Sequence, residues 1–320
     1  MKKNRNHRGN RLWTGVMIAL GLLVLSTVPA YGQDRRGGGP LPGQGLGWSA
    51  FVEGAYLHQL SGDVDEGGRY DVDRAAIRAG VMWMPDFRRS VSLSFGYGFA
   101  GFDFEGNNGL ASLNPWDDVH SFGVGAFIRW GLDTRWTLFL APTVRWTAEQ
   151  GTDWGDAMTG GGFVGFAYRF GDRLTLGPGV GVLSELEDSA SVFPVLFVNW
   201  RITDRLGLET GGGLGATQGP GLTLNYDVSP TWRLFMGGRY DKLRFRLDES
   251  GPAPAGVGGN RSVPLFGGVT VNLNAQARLT LMAGVDVGGE LLLDDEDGRR
   301  LSADNYGTTA VLGLAFRFSF

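Results

Sequence analysis

Only three histidines occur in the 320 residues, at positions 7, 58 and 120. His120 stands beside Ser121, the residue pair a nucleophilic hydrolase would need. Neighbouring residues on a strand point to opposite faces, so this imidazole and this hydroxyl would not meet. His58 lies near Asp63, Asp65 and Glu66 in a polar stretch, where a solvated loop histidine is the plain reading. No catalytic residue is assigned. A carboxylate run, Asp294-Asp295-Glu296-Asp297, offers oxygens of the kind Ca²⁺ takes. It lacks the spacing of a calcium loop and runs into Gly298-Arg299-Arg300, so it reads as a charged hairpin tip. The string Gly211-Gly212-Gly213-Leu214-Gly215 has no helix after it on which to seat a phosphate. Cysteine is absent, which removes thiolate chemistry, disulfides and lipid acylation together. Neither a metal nor a cofactor is expected.

Charge inside strand-like stretches is more informative. Arg74, Arg78, Arg129, Arg145, Arg169, Arg201, Arg239 and Arg317, with Glu53, Glu185, Glu209 and Asp286, all fall on the small-and-polar side of a period-two alternation. In 279–288 that side is Thr280, Met282, Gly284, Asp286 and Gly288, against Leu279, Leu281, Ala283, Val285 and Val287. The stretches 136–147 and 174–182 alternate in the same way, with Phe139 out of step. Two arrangements fit such a face: charges lining a water path, or charges paired across a filled interior. An arginine excess in an open path favours anions.

The elements that carry these residues repeat. Compact turns at 85–89, 131–135, 171–173, 203–205, 229–231 and 274–277 are each followed by a similar strand opening. Longer polar loops fall near 58–70, 105–117, 150–158, 188–190, 217–220, 249–260 and 294–305. Strands of roughly 10–13 residues and this alternation of short turns with long loops fit a closed antiparallel transmembrane β-barrel of about fourteen strands, within twelve to sixteen. The fold class is all-β. Trp83, Trp130, Trp136, Phe170, Trp200 and Trp232 sit at the turn ends, as an interfacial aromatic belt requires. Pro142, Pro178, Pro194 and Pro264 interrupt strands and predict bulges or unbonded ladder positions. The final strand alternates through Ala310, Leu312, Leu314, Phe316 and Phe318 to a terminal Phe320.

Composition agrees. The chain holds 54 glycines and 38 aromatics, with no collagen period and no stretch of 18 apolar residues after the first segment. That segment has five cations before an apolar run, Leu12 to Val28, and small residues at Ala30 and Gly32. Residues 1–32 therefore read as a secretory signal peptide, 33–46 as a flexible periplasmic lead-in, and 47–320 as the barrel. Cleavage moves the formal charge from −4 to about −9, which argues against a nucleic-acid partner.

The segment 243–270, followed by Ala283 to Leu293 and the closing strand to Phe320, resembles uncharacterised bacterial outer-membrane β-barrel families, including domain-of-unknown-function groups. The resemblance implies a fold and an outer-membrane location, and brings no assigned activity. The expected partners are outer-membrane lipids and lipopolysaccharide, with the barrel-assembly machinery reading Phe320 as its signal. The expected function is a porin-like passive channel for small solutes or a structural barrel. The alternatives are a lipid-modifying barrel enzyme and an adhesion protein acting through its outer loops.

Overall fold

The computed structural model describes residues 46–210 and 221–320; the expected signal peptide and all but Leu46 of the lead-in lie outside them, as does the loop expected at 217–220. The strands are β1 (Gly47–Asp63), β2 (Arg69–Asp86), β3 (Arg89–Glu105), β4 (Asp118–Gly131), β5 (Trp136–Glu149), β6 (Met158–Phe170), β7 (Leu174–Glu185) and β8 (Asp188–Arg201). They continue as β9 (Leu206–Thr210), β10 (Gly221–Asp227), β11 (Trp232–Arg239), β12 (Asp241–Arg246), β13 (Val257–Asn272), β14 (Ala277–Asp294), β15 (Arg300–Tyr306) and β16 (Thr309–Ser319). A one-turn helix, α1 (Gly109–Leu113), lies in the β3–β4 loop.

Fourteen strands close an antiparallel ring, and two further strands stand outside it. Each of β1 to β10 pairs with the next; β11 then pairs with β13, β13 with β14, β14 with β16, and β16 with β1. The two extra strands are β12 and β15, whose ladders run along the loop-end portions of β13 and β14. Strand length departs from expectation: β2 and β14 have 18 residues each, because their ends run past the apolar band. Residues 300–305, expected within a loop, belong to β15.

The compact turns explain the even spacing of the hairpins. In five of them one side-chain oxygen accepts the N–H groups two and three residues on. Asp86 takes Arg88 and Arg89, and Asp133 takes Arg135 and Trp136 at 2.6 and 2.7 Å. Thr203, Ser229 and Asn274 repeat the device. A short oxygen-bearing side chain mimics a turn carbonyl, so it fixes where the strand reverses. The Trp136 and Arg135 N–H groups hold the exposed Asp133 carboxyl below the usual carboxylate range.

Alternation places Leu93, Phe95, Leu140, Phe166, Leu196, Met236, Leu281 and Leu314 on the outside, where they are exposed as a lipid-facing wall requires. The turn-end aromatics Trp83, Trp130, Trp136, Phe170, Trp200 and Trp232 are exposed on the same face, joined by Trp48, whose ring lies 6.5 Å from that of Trp83. Phe139, out of step in the sequence, points inward and stacks on Phe197 with ring centres 4.7 Å apart. Register runs unbroken past Pro142, Pro178 and Pro194, where ladder pairs are skipped at most; only Pro264 lies beside a register shift, between Arg261 and Val263.

Glycine makes room for the inward aromatics. A Cβ on Gly181 would fall within the ring of Phe193, its cross-strand partner, and one on Gly165 within the ring of Phe197. Gly181→Ala is therefore expected to destabilise the barrel by about 1–3 kcal/mol through overpacking. In a Phe193→Ala background the same change should cost almost nothing. Urea unfolding of the four proteins checks this, and additive costs would show that the ring does not rest on the glycine.

Candidate functional site: the lumen and its plug

The register sets all twelve charged positions expected at the lumen on the inward face, and packing then sorts them into groups. Arg78 and Arg317 converge on Glu53: Arg78 Nε donates to Glu53 Oε2 at 3.1 Å, and Arg317 donates to Oε1. Both guanidinium groups lie over the ring of Phe51, at 5.4 and 4.9 Å from its centre. Arg278, opposite Arg317 in the ladder, adds a third cation near this single carboxylate.

Nearer the middle, Asp241 gathers Arg74, at 3.6 Å, together with the charges of Arg145 and Arg239. Asp286 is buried close by and accepts a hydrogen bond from Tyr306 Oη at 3.2 Å. Glu209 stands apart, accepting from Asn225 Nδ2 at 2.8 Å. The remaining three arginines lie towards the turn end. Arg129 donates to the carbonyl of Phe87 at 2.9 Å and Arg201 to that of Asp172 at 2.6 Å, so both tie down a neighbouring turn. Arg169 is exposed. Asp241 and Arg278 were missed. Asp241 shares the alternation of Leu243, Phe245 and Leu247, a side that reads in the sequence as lipid-facing. Arg278 follows a turn and reads equally well as part of it.

The loop end of the lumen is filled by a sheet. After Arg239 the chain leaves the wall, and β12 pairs with Val257–Ser262 of β13 instead of a wall neighbour. β15 pairs in the same way with Gly289–Asp294 of β14. The four segments β12-β13-β14-β15 form one sheet that reaches the opposite wall through a parallel bridge between Arg246 and Ala148. Alternation on β12 gives it two jobs. Leu243, Phe245 and Leu247 pack into an apolar core with Tyr70, Val72, Phe102, Phe104, Leu291 and Leu293. Trp116 stands edge-on to Phe102, Phe104 and Phe245 at 5.3 to 5.9 Å and closes this core beneath α1. Lys242, Arg244 and Arg246 face the other way and clasp the β7–β8 turn. Lys242 pairs with Glu185, Arg246 with Glu187, and Arg244 donates to the Leu186 carbonyl at 3.1 Å.

The same sheet revises the carboxylate run. Asp294 turns inward, is buried, and pairs with Arg244 and Arg300. Asp295 caps its own hairpin by accepting from Asp297 and Arg299. The four carboxylates do not converge. The histidines face outward near the loop end: His58 Nδ1 lies 2.8 Å from Asp73, and His120 Nδ1 2.7 Å from Tyr97 Oη. Ser121 faces inward, on the other side of the wall from His120. Between the plug and β1–β5 a cavity of about 90 Å³ remains, with Gln59, Arg74, Arg239, Asp241 and Asp286 set among apolar walls.

A closed ring, an apolar exterior and an aromatic belt leave one environment for these surfaces. The chain is an outer-membrane β-barrel. No family model matches it, and no curated protein matches it in sequence. Among solved structures it is similar to the COG4313 outer membrane channel from Pseudomonas putida F1, with a TM-score of 0.51 at 11% identity over 87% of this chain and 97% of that one. It is also similar to a deletion mutant (deltaS2S3) of TodX, a monoaromatic hydrocarbon channel, with a TM-score of 0.48 at 8% identity over 94% and 97%. A Pseudomonas aeruginosa FadL homologue gives a TM-score of 0.45 at 12% identity over 94% and 99%. At these identities the likeness is one of fold.

Phe245→Ala should empty the centre of the plug core, at a local cost of about 3–5 kcal/mol. Hydrogen exchange is expected to speed up in β12 and β15 while the wall strands stay protected. Equal loss of protection around the whole ring would show that the plug has no separate stability.

Proposed function

We propose that this barrel is a passive channel for small solutes that rests closed, with the β12–β15 sheet as its gate. The observation that carries this reading is how the sheet is attached. On one side it continues directly from wall strands; at its two edges a bridge from Arg246 to Ala148, another from Tyr306 to Val64 and a set of side-chain clasps hold it. Such an attachment can release at one edge without breaking the ring. A permanently open porin-like pore is disfavoured, because ion pairs and the apolar core cross the lumen. The channel described for the similar Pseudomonas putida structure supports transport over catalysis as the role of this fold.

Planar-bilayer recording of refolded protein tests the reading. Wild type should show rare, short conductance steps, and the double variant Lys242→Ala/Arg246→Ala should stay open at least ten times longer. A steady wide conductance from wild type would replace the gate with an open pore. Silence from both proteins would leave only a structural barrel.

On the same reading residues 1–32 direct export, lipopolysaccharide surrounds the outer rim, and Phe320 is the assembly signal. Phe320 donates its N–H to the Ala50 carbonyl at 2.8 Å and keeps its ring largely exposed. Deleting it should lower the amount of heat-modifiable barrel in cells without changing refolding in detergent. An equal loss in both would make its role one of stability.

A further inference from the structure

The cavity beside the plug is enclosed by wall and gate together. Gln59 of β1, Arg74 of β2 and Asp286 of β14 line it from the wall, and Asp241 and Leu243 line it from β12. It measures about 90 Å³, roughly the share of three waters in bulk liquid. Gln59, Asp286 and Asp241 are 0%, 3% and 8% exposed. Each is satisfied on one atom only. Gln59 Nε2 donates to Tyr70 Oη at 2.5 Å, and Asp286 Oδ2 accepts from Tyr306 Oη. Asp241 Oδ2 faces Arg74 Nη1 at 3.6 Å. Gln59 Oε1, Asp286 Oδ1 and Asp241 Oδ1 are left buried with no hydrogen-bond partner among the described residues, and Arg74 Nε is a donor in the same position. A buried polar atom without a match bears its full desolvation cost, so these four atoms call for a partner from outside the chain.

The four atoms describe that partner. Three acceptors, two of them on carboxylates, match the three N–H bonds of a primary ammonium. The N–H of Arg74 matches an acceptor, and a carboxylate is the strongest one for a guanidinium. Charge gives the same answer. In the lining, Arg74 and Arg239 balance Asp241 and Asp286. A bare cation or a bare anion would add one uncompensated charge to a buried space, and a zwitterion would not. Between the polar groups the walls are carbon, from Ala100, Val119, Leu243 and Val311. Water gains no hydrogen bond from such a wall, whereas a short hydrocarbon body is covered by it.

We propose that this cavity binds a zwitterionic amino acid no larger than alanine, with its ammonium on Asp241, Asp286 and Gln59 and its carboxylate on Arg74. On the gated-channel reading such a molecule is the solute, and Asp241 ties it to the gate strand; that role rests on the channel, and the site itself does not. Native mass spectrometry of the barrel refolded with L-alanine, L-leucine, propionate or propylamine tests it. Wild type should hold one alanine at a concentration at least tenfold below that needed for any of the other three. Asp286→Asn keeps an oxygen for Tyr306 but removes one of the two carboxylates, and should weaken retention at least tenfold. Ala100→Leu should abolish it by filling the cavity, and heat-modifiable migration checks that the barrel has formed. Val311→Leu takes its place if it has not. Propylamine or propionate held as well as alanine, retention unchanged in both kinds of variant, or water alone in the wild-type cavity would each overturn the proposal. Ligand enclosed during refolding does not depend on the gate. A barrel silent in bilayers that holds alanine therefore overturns the channel and supports the site, and a conducting barrel that holds none overturns the site alone.

Discussion

Hydrocarbon offers no partner to a peptide group, and the rest of this structure follows from that. Every N–H and C=O at membrane depth must bond within the chain, so the strands must form a ring with no free edge. Closure through β1 and β16 meets this demand, with nine consecutive ladder pairs from Phe51–Ser319 to Gln59–Val311. Once the wall is a ring of strands, side chains have only two directions. Half face lipid and are apolar; the other half face a space that the ring itself has created.

That inner space is wide enough to need contents, and the chain supplies two kinds. Towards the turn end, aromatic rings lie on bare glycine backbone and arginines surround too few carboxylates. Towards the loop end, strands β12 to β15 carry a core like that of a water-soluble protein, with Tyr70, Trp116, Phe245 and Leu291 almost wholly excluded from solvent. A buried ion pair is weak as a source of stability but strict about geometry. The apolar core is the reverse, tolerant in geometry and strong in sum. The first therefore fixes the shape of the lumen and the second holds it shut.

The wall was legible in the sequence because lipid enforces alternation residue by residue: Leu279 to Val287 and Ala310 to Phe318 can be assigned to a face without coordinates. The turns were legible because Asp, Ser, Thr and Asn at their first positions have a bonding role there. The plug was not. Leu243, Phe245 and Leu247 alternate as a lipid-facing strand would, and so do Leu291 and Leu293. Period two reports that one side of a strand avoids water, and it does not say whether lipid or protein covers that side. The grouping of charges was hidden for a related reason. Alternation put Arg74, Arg145 and Arg239 on one face, but only the inward bend at Tyr240 brings Asp241 among them.

The position of the plug in the chain ties biogenesis to closure. Its strands immediately precede β16, and the apolar residues that complete its core come from β2 to β4 and the loops beside them, on the far side of the β16–β1 seam. Half of the core is thus made last and half first. Until the seam zips, the two halves belong to opposite edges of an open sheet, and neither can bury its rings. Sealing the wall and drying the interior are therefore one cooperative step, and a barrel that has closed has already filled its own mouth.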